Sequence, residues 1–127
     1  MAQTISVTIT VQMEAATPPL KPYNPIDIEA VDIVKTDIKK GDSKDIEVQP
    51  ASDPKKVKFL MIIRDNYDDL VTYKVEGGSK DVTLDGPQVL LGAGAVGLLE
   101  RPPTKIKFSN KGTQDVPITI YVGRTAS

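Results

Sequence analysis

Hydrophobic and polar residues alternate along much of the chain. Ile5, Val7, Ile9, Val11 and Met13 fall on one side of residues 4–14, and Thr4, Ser6, Thr8, Thr10, Gln12 and Glu14 on the other. Successive strand side chains point to opposite faces, so this spacing predicts a half-buried antiparallel strand with a Thr-rich outer face. Residues 17–25, Thr-Pro-Pro-Leu-Lys-Pro-Tyr-Asn-Pro, cannot sustain a ladder and predict an extended, polyproline-like strap.

Residues 26–40 admit two readings. Asn24 and Pro25 could open a helix that closes at Gly41, with Ile26, Ala30, Ile33, Val34 and Ile38 on one face. Ile26, Ile28 and Ala30 against Val31 and Ile33 also read as alternating pairs offset by one residue, the signature of a bulged strand or two short strands. β-branched crowding favours the strand reading.

Further on, Lys40–Ser43 reads as a turn, Ile46 and Val48 mark a short strand, and Ala51–Lys56 is a loop. Residues 57–64 are apolar on both faces after Lys58 and predict a central strand. Asn66–Asp69 turns the chain into a strand carrying Val71, Tyr73 and Val75, Gly77-Gly78 is a tight turn, and Val82 and Leu84 mark another short strand. At the C-terminal end, Ile106 and Phe108 alternate with Lys105 and Lys107. Asn110–Thr113 reads as a hairpin loop, and Val116, Ile118, Ile120 and Val122 mark the last strand. Pro117 cannot donate to a ladder, which predicts that this strand lies at an edge or that pairing starts beyond it. About eight or nine strands result, so the expected fold is an all-β antiparallel β-sandwich over residues 1–127, a jelly roll among its topologies.

Composition narrows the chemistry. The chain has 127 residues with 10 Pro and 9 Gly to punctuate the strands, and Val and Ile far outnumber Leu. It has no Cys and no His, which removes disulfides, thiolate sites, His-based metal sites and the usual general base near neutral pH. Sixteen basic residues against 17 acidic argue against a dedicated nucleic-acid or anionic-membrane binder. The first residues show no basic and apolar leader pattern, so no secretory signal is expected.

A long uncharged run spans Pro87–Leu99, and Gly92–Gly97 within it spells G-x-G-x-x-G. A dinucleotide site needs a strand, the glycine turn and then a helix of several turns facing the pyrophosphate. Pro102-Pro103 stops any helix within a few residues, so nucleotide binding is not expected and no cofactor is called for. The run instead predicts a flat or bulged segment suited to close approach, either core or a subunit interface. Its residues Val89, Leu90, Leu91, Gly92, Gly94, Val96, Gly97, Leu98 and Leu99 are the interface candidates. At eleven residues, Val89–Leu99 is too short to span a bilayer as a helix, and no membrane partner is expected.

Asp65, Asp68 and Asp69 cluster oxygen ligands in one loop and are the weak candidates for a calcium site, although the spacing is not that of an EF-hand. Tyr121, out of phase with the buried row of its strand, is a candidate surface aromatic. No pair of carboxylates is singled out for hydrolysis, so no catalytic residue is assigned.

The C-terminal third carries a resemblance. Leu84-Asp85-Gly86-Pro87, the Gly-rich run, Pro103–Asn110 and the final Val116–Gly123 strand together resemble accessory structural proteins of bacteriophage virions, the head-decoration or tail-associated subunits. The resemblance spans residues 84–124 and transfers no functional residues. It implies homo-oligomerisation and attachment to a repetitive capsid or tail lattice. The expected function is therefore a non-enzymatic structural protein that self-associates, a trimer being favoured. Its working surfaces would be Val89–Leu99, the outer face of strand 4–14 and the Pro-rich strap. The alternative is a small carbohydrate- or calcium-dependent binding module using Asp65–Asp69 and an exposed Tyr.

Overall fold

The computed structural model describes residues 3–5, 26–28, 30–48, 57–99 and 104–124. Ten strands and one helical turn appear among them: β1 (Gln3–Ile5), β2 (Ile26–Ile28), β3 (Ala30–Ile38), β4 (Ser43–Glu47), β5 (Val57–Arg64), β6 (Val71–Val75), β7 (Val82–Thr83), β8 (Gln88–Leu91), α1 (Ala93–Val96), β9 (Lys105–Asn110) and β10 (Val116–Arg124). β1 and β2 pair with each other. The remaining eight form two antiparallel four-stranded sheets, ordered β3-β10-β5-β8 and β4-β9-β6-β7. The fold is an all-β sandwich.

Its topology follows from one nested pattern. β3 pairs with β10, β4 with β9, β5 with β8 and β6 with β7. The chain is thus one long hairpin, with its closed end at Glu76–Asp81, wound so that successive strands switch sheets. This arrangement is a jelly roll. Within the two four-stranded sheets, among the described residues, only β6 and β7 are consecutive strands that pair with each other, and Gly78 N donates to Val75 O in their connection at 2.8 Å.

The inward rows make the core. Ile118, Ile120 and Val122 of β10 meet Leu60 and Ile62 of β5 on one sheet, and Ile106 and Phe108 of β9 sit opposite Val75 and Tyr73 of β6 on the other. Tyr73 and Phe108 contact with ring centroids 5.7 Å apart. Val116 and Val57 close the ends of the core cluster. A bulge at the Gly123/Arg124 step lets Val57 and Phe59 oppose consecutive β10 residues, leaving Lys58 without a partner there.

Several expectations are corrected or decided here. Residues 26–28 and 30–38 are two strands, so the helical reading of 26–40 is excluded for them. Asn110–Thr113 does not make a hairpin, because β9 and β10 belong to different sheets and the loop carries the chain across the sandwich. β10 is not an edge strand, since it lies between β3 and β5. Pro117 is accommodated because pairing with β5 starts only at Ile118, leaving one neighbour at its level. The strand expected over 4–14 is described only at its start, in β1. The Pro-rich strap and the Ala51–Lys56 loop lie outside the described residues.

Candidate functional site

The Gly-rich run is not flat. β8 leads into Gly92, then a single helical turn, Ala93–Val96, with Gly97 at its end. Gly92 has φ +91°, a conformation that L side chains rarely adopt, and this is what requires glycine there. Its N–H donates to the carbonyl of Lys58 at 2.7 Å, and its carbonyl accepts from Val96 N at 3.0 Å. The amide that a phosphate would need is therefore engaged with β5, and one turn of helix provides little dipole to face an anion. Close approach is not the reason for the glycines at 92 and 94, because an added Cβ at either would meet nothing within 4 Å. At Gly97 an added Cβ would lie 3.3 Å from the carbonyl oxygens of Ala93 and Gly94.

The interface candidates separate by direction. Val96 is 5% exposed and belongs to the core, with Leu90 and Leu99 packed against it. Val89 and Leu91 point to the outer face of their sheet and are half-buried. Leu98 stands 81% exposed, beside the exposed Gly94 and Gly97. The run is core on one side and surface on the other.

The two outer faces differ in chemistry. On the β4-β9-β6-β7 sheet, Ser43, Ser109, Thr72 and Thr83 form one row across all four strands, and Asp45, Lys107 and Lys74 form the next. Ser43 and Ser109 share a hydroxyl hydrogen bond of 3.0 Å. A cavity of about 240 Å³ lies here, lined by Lys74, Lys105 and Lys107 together with Asp45 and Glu76, so its charges nearly cancel. On the β3-β10-β5-β8 sheet the corresponding row is Ile33, Tyr121, Met61 and Val89. The next row is Val31, Gly123, Phe59 and Leu91. Tyr121 does face outward, half-buried among apolar neighbours. This apolar face could not be read from the strands singly, because it appears only when register brings Ile33, Met61 and Val89 beside Tyr121.

The aspartate loop connects β5 to β6 at one end of the sandwich. Asp68 accepts from Leu70 N at 2.9 Å and from the Arg64 guanidinium at 3.1 Å, while Asp65 accepts from Asn66 N at 2.9 Å. The Leu70 amide, with Arg64 assisting, holds the Asp68 carboxyl below its ordinary value. Asp65 and Asp68 line a cavity of about 160 Å³ with Asp115, Asn110 and Gln114, and Asp69 does not line it. Asp115 is bound to Lys40 N at 2.9 Å and Lys39 Nζ at 3.3 Å, which lower its carboxyl in the same order of importance. Among the described residues no group of three or more Asp or Glu gathers as a metal-ligand set. These carboxylates serve as loop acceptors, as Asx turns commonly do.

The residue that sequence reasoning missed at this end is Asn110, buried at 3% exposure. The signal was present, since Ile106 and Phe108 put Asn110 in phase with the inward row. No family model, no curated protein and no solved structure matches the chain.

Proposed function

We propose that the protein is a non-enzymatic structural subunit that works by self-association. The observation that supports this reading is the sidedness of the sandwich. One outer face carries Ser, Thr, Lys and Asp in register, and the other carries Ile33, Tyr121, Met61 and Val89. A sheet open to water on one side ordinarily alternates apolar-in with polar-out, as the first sheet does. On the second, Ile33 stands 55% exposed at the edge of a half-buried apolar row, and apolar side chains left at a surface in this way support an interaction surface there. Leu98 extends that surface beyond β8. Attachment to a repetitive protein lattice, as in a phage virion, is the setting in which such a subunit would act.

Light scattering on the purified chain at tens of micromolar tests the reading. An oligomer is expected, and a strict monomer overturns it. Gly94→Trp adds a second readout, because no atom lies within 4 Å of an added Cβ there. The variant should keep its melting transition and lose mass in solution.

A further inference from the structure

We propose that Asp85 is a modification site. Its side chain closes on the amide of Gly86 to a cyclic imide, and the imide opens to isoaspartate, which reroutes the main chain at the entry to β8. The site stands whether or not the chain self-associates.

Asp85 is the one aspartate in the chain that glycine follows. Ring closure needs a carboxyl that nothing holds and a following nitrogen that is neither crowded nor hydrogen-bonded. The bend between β7 and β8 meets these conditions. Asp85 is exposed, and among the described residues its carboxylate enters no hydrogen bond or ion pair. Gly86 has no Cβ, and apart from its chain neighbours nothing lies within 4 Å of where one would stand. Its N–H has no acceptor among the described residues. The other described aspartates each fail one condition. Asp42 and Asp65 accept the N–H of the next residue at 2.8 and 2.9 Å, so that nitrogen turns its proton, not its lone-pair face, to the carboxyl. Asp68 and Asp115 are held by Leu70 N and Lys40 N, and Asp32 by Arg124. Leu70 N, which follows Asp69, is engaged with Asp68. Asp37, Asp45 and Asp81 precede Ile38, Ile46 and Val82, whose β-branched side chains crowd the nitrogen.

The Gly86 nitrogen attacks Cγ of the protonated Asp85 carboxyl. An N–Cγ bond forms, the bond from Cγ to the hydroxyl oxygen breaks, and one water leaves, made of that hydroxyl and the amide proton. Water then reopens the five-membered imide. Addition at Cγ restores aspartate. Addition at the main-chain carbonyl breaks the original peptide C–N bond and leaves the chain running through Cβ and Cγ, one backbone atom longer. The extra atom falls between two fixed points. Leu84 is fully buried and its N–H donates to Val71 O at 2.9 Å, while Gln88 opens β8 opposite Ile62. Among the described residues β8 pairs with β5 alone, over four residues, so β8 is the strand that yields.

The test is to hold the purified chain for several weeks at neutral pH and body temperature. Peptide mapping with electron-transfer fragmentation, which separates isoaspartate from aspartate, then reads each position. Isoaspartate should accumulate at residue 85 at least tenfold above any other aspartate, with a transient species one water lighter. Gly86→Ala puts a methyl group into open space, at a φ outside the left-handed region, so it should keep the fold and slow conversion at least fivefold. Asp85→Asn, which releases ammonia in place of water, should convert faster through the same imide. The isoaspartate fraction should exchange the amide hydrogens of Val89–Leu91 faster than the fresh chain, with Val71–Val75 unchanged. Isoaspartate spread evenly over the aspartates, or formed at residue 85 only after unfolding in urea, overturns the site. An isoaspartate fraction whose β8 amides exchange as in the fresh chain overturns the loosening of that strand.

Discussion

Asn110 Nδ2 donates to the carbonyl oxygen of Ile38 at 3.0 Å, joining β9 of one sheet to the end of β3 in the other. The same nitrogen donates to Gln114 O at 2.8 Å, and Oδ1 accepts from Gly112 N at 2.8 Å. A buried amide with both ends engaged fixes the loop that carries the chain between sheets. Lys44 Nζ donates to Thr36 Oγ1 at 2.7 Å and makes a second, exposed tie between the same two sheets.

Replacing Asn110 should therefore cost more than losing a loop residue. Asn110→Ala leaves buried carbonyl groups without their donor, at about 1–3 kcal/mol. Asn110→Asp keeps the shape but turns an acceptor toward two carbonyl oxygens, and should cost about 3 kcal/mol or more. Urea unfolding with an unchanged m-value checks both, and Asp being milder than Ala would contradict the geometry.

The glycines of the Gly-rich run should respond unequally. Gly92→Ala forces a side chain into φ +91° and should destabilise by about 1 kcal/mol or more. Gly94→Ala meets open space within the helical turn and should be neutral or stabilise by up to about 1 kcal/mol. Thermal melts of the two variants test this, and equal shifts would argue against the turn described.

These contrasts show what was legible before folding. Period-two alternation placed β6, β9 and β10 from their inward Val, Ile and aromatic residues, and an apolar run on both faces placed β5 as a central strand. The turn glycines were legible as punctuation. Which strands pair was not, because pairing depends on contacts distant in sequence. The Asn110 loop reads like a hairpin locally, yet β9 and β10 part to different sheets. The outward apolar rows were hidden for the same reason, as β3, β5, β8 and β10 each contribute one residue per row.

Stability should depend on pH at the extremes. Asp68 and Asp115 have carboxyls lowered in the folded state, chiefly by backbone amide donors. Their contribution is fully present above the unfolded value near 3.8 and is lost as pH falls through their folded values. Burial raises Tyr73, so its contribution is present below the unfolded value near 10.0 and is lost as pH rises through the folded one. With no His in the chain, the melting temperature should be nearly flat from about pH 6 to 8. Asp68→Asn and Asp115→Asn should each shallow the acid limb, and an unchanged limb in both would show that these hydrogen bonds do not govern it.

Val96 and Leu98 are two residues apart and face opposite worlds, which divides the Gly-rich run between folding and association. Val96 is 5% exposed in the core cluster, so Val96→Ala should cost about 2 kcal/mol. That loss would weaken association only through the fold. Leu98 is 81% exposed, so Leu98→Lys should change stability by no more than about 0.5 kcal/mol. It removes an apolar side chain from the surface continuing β8 and adds a charge on each copy, so it should raise the dissociation constant severalfold. Urea unfolding gives the first quantity and sedimentation equilibrium the second. Leu98→Lys associating as the unaltered chain does would exclude the helical turn from the contact.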